Sequence, residues 1–188
     1  MSTHRIVITG APGTGKTAVV EALTNAGYVC FPEVIREFTQ EEVAAKDPEQ
    51  LASNPIVFAN DAMAFNQRLI DGRTKQFKSA DFSNHPYNFY DRGLIDVLAY
   101  MDFFKQTYPQ EFVNVCDAHR YEAVFIMPPW EEIFHSEVGR YESFDEAIAL
   151  HQSLLTRYEA FGYCPIEVPT DNIENRTDFI LNQTQLLL

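Results

Sequence analysis

The stretch Gly10-Ala11-Pro12-Gly13-Thr14-Gly15-Lys16-Thr17 decides how the rest of the sequence is interpreted. It fits the pattern G-x-x-x-x-G-K-[S/T] at every fixed position. The β-branched run at residues 5–9 predicts a strand, and residues 15–26 predict a helix that Gly27 closes. A strand, a glycine-rich turn and a helix in this order form an anion site, because the loop amides and the helix N-terminus converge on phosphate oxygens.

Each part of this loop has a chemical role in phosphate binding. Its glycines permit backbone angles that side chains would block, so that successive N–H groups can point inward. Lys16 supplies a positive charge for the outer phosphates, and the Thr17 hydroxyl is a ligand for Mg²⁺ carried by the nucleotide. We therefore expect ATP or GTP as the cofactor. The residues predicted to bind it are Gly10, Ala11, Pro12, Gly13, Thr14, Gly15, Lys16, Thr17 and Ala18.

Short apolar runs alternate with helical segments along the whole chain. Strands are predicted at residues 5–9, 28–31, 88–91, 123–127 and 164–168, and helices at 15–26, 33–45, 55–76, 94–105, 110–118, 144–161 and 173–187. This alternation predicts an α/β, three-layer P-loop NTPase fold whose five-stranded parallel sheet has helices on both faces. We expect a single domain over residues 1–188, with residues 128–143 as a surface excursion and candidate lid.

Composition limits the partners of the chain. The 188 residues include 14 Lys and Arg and 27 Asp and Glu, a formal charge of −13 that disfavours DNA, RNA and anionic membranes. No run approaches the roughly 18 apolar residues of a membrane span, and the first apolar run is too short for a signal peptide. Three widely spaced cysteines predict free thiols in a reducing compartment. We therefore expect a cytoplasmic protein.

Asp91 is the best candidate for a second Mg²⁺ ligand, because it ends the strand predicted at residues 88–91. The alternative is that it caps the helix that begins near Leu94, and one carboxylate could do both. Arg92 follows, and it stays protonated near neutral pH, so it cannot activate water as a base. It can clamp a phosphate with two hydrogen bonds, which favours transfer to a bound acceptor over hydrolysis. A surface ion pair is the other interpretation of Arg92.

Charged residues also follow the second strand and lie in the excursion. Glu33 could accept a proton from an acceptor hydroxyl and Arg36 could orient an anionic acceptor group, or both could belong to an ordinary helix start. Arg140 could fold over the γ-phosphate and stabilise transition-state charge, or be a solvated residue in an acidic stretch. The Asn/Thr-Lys-x-Asp signature of guanine-specific GTPases is absent from residues 169–172, which does not establish a preference for adenine.

Several segments together resemble one family, the small AAA-labelled P-loop ATPases that group with the kinase domain of NadR, a ribosylnicotinamide kinase. They are the phosphate loop, Pro32-Glu33-Val34-Ile35-Arg36-Glu37, Tyr90-Asp91-Arg92-Gly93-Leu94, Met127-Pro128-Pro129-Trp130, Arg140-Tyr141 and Asn175-Arg176-Thr177-Asp178-Phe179-Ile180. The resemblance spans roughly residues 4–182. It implies that Asp91 and Arg92 form an acidic-Arg pair, that Arg140 is a lid arginine, and that Glu33 replaces the carboxylate base of deoxynucleoside kinases.

Two functions follow from these observations. The first is a phosphotransferase that moves the γ-phosphate of ATP to a small nucleoside- or nucleotide-like acceptor, with Lys16, Glu33, Asp91, Arg92 and Arg140 as catalytic residues and Thr17 and Asp91 as metal ligands. The second is a nucleotide-dependent switch or ATPase whose slow hydrolysis changes a contact with a protein partner. The sequence names neither the acceptor nor the oligomeric state.

Overall fold

The computed structural model describes residues 3–35, 62–134 and 143–187. The strands are β1 (His4–Gly10), β2 (Val29–Phe31), β3 (Tyr87–Asp91), β4 (Ala123–Met127) and β5 (Ile166–Glu167). Over the described residues the helices are α1 (Lys16–Asn25), α2 (Ala62–Ser79), α3 (Leu94–Phe103), α4 (Gln110–Ala118), α5 (Phe144–Ala160) and α6 (Ile173–Leu187). Short 3₁₀ turns lie at Ala80–Phe82 and Glu131–Ile133.

The strands form one parallel sheet in the order β2-β3-β1-β4-β5, so β1 lies at its centre. The register pairs Ile8 with Asp91 and Gly10 with Met127, and it pairs Phe31 with Tyr90. The carboxyl ends of the inner strands therefore meet at one edge of the sheet. In open α/β sheets this edge, at the point where connections leave in opposite directions, forms the ligand crevice.

Alternate strand residues enter two separate apolar layers, because successive side chains of a strand point to opposite faces. One layer packs against α2, α3, α4 and α5, and its strand residues include Val7, Tyr90, Val124 and Ile126. The other layer packs against α1 and α6, and its strand residues include Ile6, Ile8, Phe89 and Phe125. The predicted three-layer α/β fold with a five-stranded parallel sheet is confirmed.

Some predicted boundaries differ from the observed ones. The helix expected at residues 94–105 ends at Phe103, where Gln106 N donates to Met101 O at 2.8 Å and Lys105 takes a left-handed φ of 54°. The last strand covers only Ile166–Glu167. Most of the helix expected at residues 33–45, and residues 55–61 of the next, lie outside the described residues. Within the described ranges, no helix is long and apolar enough to cross a membrane.

Candidate functional site

The glycine-rich loop connects β1 to α1, so the strand and helix predicted around it are confirmed. Gly13 and Gly15 have φ values of 77° and 79°, in the left-handed region that favours glycine. A Cβ at Gly15 would also lie 2.8 Å from Nη1 of Arg176, so a side chain there would be strained and would displace this guanidinium. The helix begins directly afterwards, at Lys16.

The Lys16 ammonium lies inside this loop and is buried. Its Nζ donates to the carbonyl oxygens of Gly10 and Ala11, each at 2.8 Å. Burial, and next the charge of Arg92, lower the pKa of Lys16 to about 7. An anion beside Nζ would favour the protonated form and raise this pKa again. A phosphate bound beside Lys16 would therefore favour the positively charged form of this side chain.

Arg92 takes a left-handed conformation, with φ 76°, which is unusual for a residue with a side chain. The backbone strain costs about 1–2 kcal/mol. In this position its amide donates to Ile8 O at 3.0 Å, and its guanidinium Nη1 donates to Gly10 O at 3.0 Å. Its Nε forms an ion pair with Oε2 of Glu33. Arg92 thus connects the carboxylate after β2 to the first residue of the phosphate loop.

Four buried charged residues meet here, and we call them the ion-pair cluster. They are Glu33, Arg73, Arg92 and Asp96. Arg73 Nη2 lies 2.8 Å from Glu33 Oε1, so each oxygen of Glu33 faces a different arginine. Arg73 Nη1 also donates to the carbonyl of Gly93 at 2.8 Å. Residues that are far apart in sequence are therefore joined through one carboxylate.

Asp96 forms the inner end of the ion-pair cluster. Its Oδ1 accepts from Thr9 Oγ1 at 2.5 Å and from Arg92 Nη1 at 3.2 Å, and its Oδ2 accepts from the Tyr158 hydroxyl at 2.6 Å. Burial acts to raise the pKa of Asp96, but Arg92, Arg73 and these hydroxyl donors lower it. Burial likewise acts against the charge of Arg92, yet its surroundings raise its pKa well above the usual value. The cluster pairs two formally cationic side chains with two formally anionic ones.

Gly93 allows Tyr158 of α5 to approach the backbone beside the ion-pair cluster closely. Its φ of −108° is ordinary, so the requirement for glycine is one of space. A Cβ would lie 2.7 Å from the Tyr158 hydroxyl and 3.0 Å from Val7 Cγ2. The Gly93 amide donates to Asp96 Oδ2 at 2.9 Å. Gly93 therefore sets the position of Arg92 and Asp96 on either side of it.

Thr17 and Asp91 are the two residues that the sequence predicts as Mg²⁺ ligands. Thr17 lies in the first turn of α1, and Asp91 ends β3 beside β1. The negative charge of Asp91 acts on Lys16 to raise its pKa, against the effect of burial, so the two side chains share one electrostatic environment. A hydroxyl and a carboxylate are the oxygen donors that Mg²⁺ prefers. The donor chemistry therefore fits this ion.

The start of the excursion packs against the phosphate loop. Phe134 lies so close to Gly13 that a Cβ there would be 2.7 Å from the ring, and Ile133 lies beside Gly15. The remaining predicted site residues in this region, Arg140 of the lid and Arg36 after Glu33, fall outside the described residues.

Sequence reasoning missed the contributions of Arg73, Asp96 and Arg176. A signal existed for the first, since Arg73 lies four residues after Leu69 on the buried stripe of α2. Asp96 similarly stands inside the apolar run of α3. A charged residue on an otherwise buried helix face needs a buried partner. The sequence does not reveal which partner that is.

The amino-acid sequence matches an AAA domain family over residues 5–176. The chain belongs to this AAA domain family. A search of curated proteins finds no match. The predicted resemblance to an AAA-labelled P-loop family is confirmed by this match.

Solved structures similar to this AAA domain include NadR and two thymidylate kinases. NadR in complex with NR superposes with a TM-score of 0.72 at 19% identity, covering 98% of this chain and 51% of NadR. This chain thus spans about half of the length of that protein. Thymidylate kinase from Ehrlichia chaffeensis has a TM-score of 0.65 at 12% identity, covering 98% and 100%. Thymidylate kinase from Candida albicans has a TM-score of 0.64 at 15% identity, covering 98% and 92%. These identities establish the fold alone.

Proposed function

We propose that this AAA domain is a phosphotransferase that moves the γ-phosphate of ATP or GTP to a hydroxyl of a small nucleoside- or nucleotide-like acceptor. The observation that carries the proposal is the Arg92 guanidinium, which bonds to Gly10 O of the phosphate loop and pairs with Glu33. One buried cation thus adjoins both the donor side and a carboxylate. The names of the structural neighbours, which are nucleotide kinases, support the same reaction class.

The residues divide the reaction between them. The loop amides and Lys16 bind the phosphates, and Arg92 stabilises charge on the transferred group. The acceptor oxygen forms a bond to the γ-phosphorus while the bond to the β–γ bridging oxygen breaks. The hydroxyl proton passes to Glu33 or Asp91. Mg²⁺, held by Thr17 and Asp91, would neutralise phosphate charge.

A panel of acceptors tests this proposal. The purified chain is incubated with MgATP or MgGTP and with individual nucleosides, nucleoside monophosphates and other hydroxyl compounds. We expect release of nucleoside diphosphate to depend on one acceptor class, with a phosphorylated product detected by mass spectrometry. Tight nucleotide binding with only slow, acceptor-independent hydrolysis would contradict the transferase and favour the nucleotide-dependent switch.

A further inference from the structure

Arg176 reaches the phosphate loop from the far end of the chain. It lies in the first turn of α6 and is only 3% exposed. Its Nη2 donates to the carbonyl oxygen of Thr14 at 2.6 Å, and its guanidinium lies 5.9 Å from the ring centroid of Trp130. The same guanidinium occupies the space beside Gly15. The buried Arg176 guanidinium therefore holds the phosphate loop through the Thr14 carbonyl group.

This cation has no carboxylate partner within ion-pair distance among the residues that the structure describes. Burial alone accounts for the lowered pKa of Arg176. The other buried arginines, Arg73 and Arg92, both pair with Glu33, whereas the exposed Arg120, like Arg176, donates to a carbonyl oxygen. An unbalanced buried charge is costly because burial removes it from water, and a bound anion would offset that cost.

The bond to Thr14 also sets the direction of a peptide group. The C=O and N–H of a planar trans peptide point to opposite sides. Because the Thr14 carbonyl is turned towards Arg176, the Gly15 amide is turned away from it. Gly15, with its left-handed φ value, would otherwise allow this peptide to rotate. A charge-assisted hydrogen bond opposes that rotation.

We propose that Arg176 is a positioning residue of the nucleotide site: it holds the Gly15 amide towards the phosphates and supplies positive charge behind them. This inference rests on nucleotide binding by the proposed transferase but not on the identity of its acceptor. Its contribution should grow with the number of phosphates, because both effects act on the phosphate chain. The adenosine moiety should be bound equally well with or without it.

Titration calorimetry with MgADP, MgATP and adenosine tests Arg176→Gln against the wild type. We expect MgADP and MgATP affinities to fall by roughly 10- to 100-fold, with adenosine affinity unchanged. Arg5→Gln is the matched control, since Arg5 Nε donates to the Phe77 carbonyl at 3.3 Å and its guanidinium lies over the Phe77 ring, at the opposite end of β1. The control should lower the melting temperature without changing MgADP affinity.

The outcomes distinguish failure of the proposal for Arg176 from failure of the proposed transferase function. If Arg176→Gln binds MgADP within twofold of the wild type, or loses adenosine affinity equally, the proposal for Arg176 is overturned while the transferase stands. If Arg176→Gln does not fold, Arg176→Lys is used. In the Lys variant we expect MgADP affinity to fall roughly 3- to 10-fold, because the positive charge remains but the planar guanidinium with its several N–H donors is lost. Wild-type affinity in the Lys variant would overturn the proposal. A wild type that binds no nucleotide would overturn both.

Discussion

The phosphate loop and the ion-pair cluster lie side by side but are built in different ways. The loop uses main-chain groups of consecutive residues, ordered by glycines and completed by Lys16. The cluster uses side chains from the segments that follow β2 and β3 and from α2 and α3, together with hydroxyl groups from β1 and α5. Arg92 is bonded to both. The comparison suggests that donor binding and acceptor chemistry can be impaired separately.

The largest expected effect concerns the cluster. Glu33→Gln removes the negative charge between Arg73 and Arg92, and with it a candidate proton acceptor. Turnover should fall by roughly 10²- to 10⁴-fold, the usual contribution of general base catalysis, while MgADP affinity stays unchanged. Steady-state kinetics and calorimetry measure the two quantities.

Glu122→Gln is the matched control for this change, since Glu122 is exposed and lies at the amino end of β4, where it accepts from the Arg5 amide. It should leave turnover unchanged. Full activity in Glu33→Gln would contradict the assigned role. Asp91→Asn then tests the other carboxylate.

The complementary change is in the loop. Lys16→Ala should abolish the ATP-dependent thermal shift, with affinity reduced by roughly 30-fold or more, because a buried charge that faces phosphate is lost. The fold should remain intact, since burial already disfavours this ammonium. Lys78→Ala, an exposed position of α2, is the control. An unchanged thermal shift in Lys16→Ala would count against the nucleotide site.

The glycine behind the cluster should matter through packing. Gly93→Ala places a methyl group 2.7 Å from the Tyr158 hydroxyl, and the free energy of unfolding should fall by about 1–3 kcal/mol. Chemical denaturation measures this loss. Tyr158→Phe by itself removes the hydrogen bond to Asp96 Oδ2, so the double variant is compared with that single variant. Gly93→Ala should cost less in the Tyr158→Phe background, because the nearest atom is removed. Additive losses in the double variant would show that the clash is relieved elsewhere.

The last expected effect is on the pH dependence of nucleotide binding. The phosphate loop contains a group with a pKa of about 7, Lys16, whereas Asp96 and Arg92 of the cluster are held ionised. Bound phosphate raises the pKa of Lys16, so binding takes up a proton above pH 7. MgADP affinity should therefore fall as pH rises from 7 to 9, by up to about tenfold per unit. Affinity constant over this range would contradict the assignment.

Much of the fold could be predicted because its signals are local. The β-branched runs, the glycine stop after α1 and the amphipathic period of α5 identify their elements from neighbouring residues alone. The phosphate loop is also recognised locally, since its whole pattern lies within residues 10–17. The boundaries of α3 and β5 were less accurate, because they depend on the hydrogen bonds that close each element.

The amino-acid sequence by itself determined the α/β class, the loop and the candidates Glu33, Asp91 and Arg92. Only the tertiary structure decided that Arg73 and Arg92 share Glu33, that Asp96 balances them, and that Arg176 supports Thr14. The reason is physical. Backbone angles and strand alternation depend on adjacent residues, whereas a buried charge acquires its partner only when the sheet brings distant segments within a few ångströms.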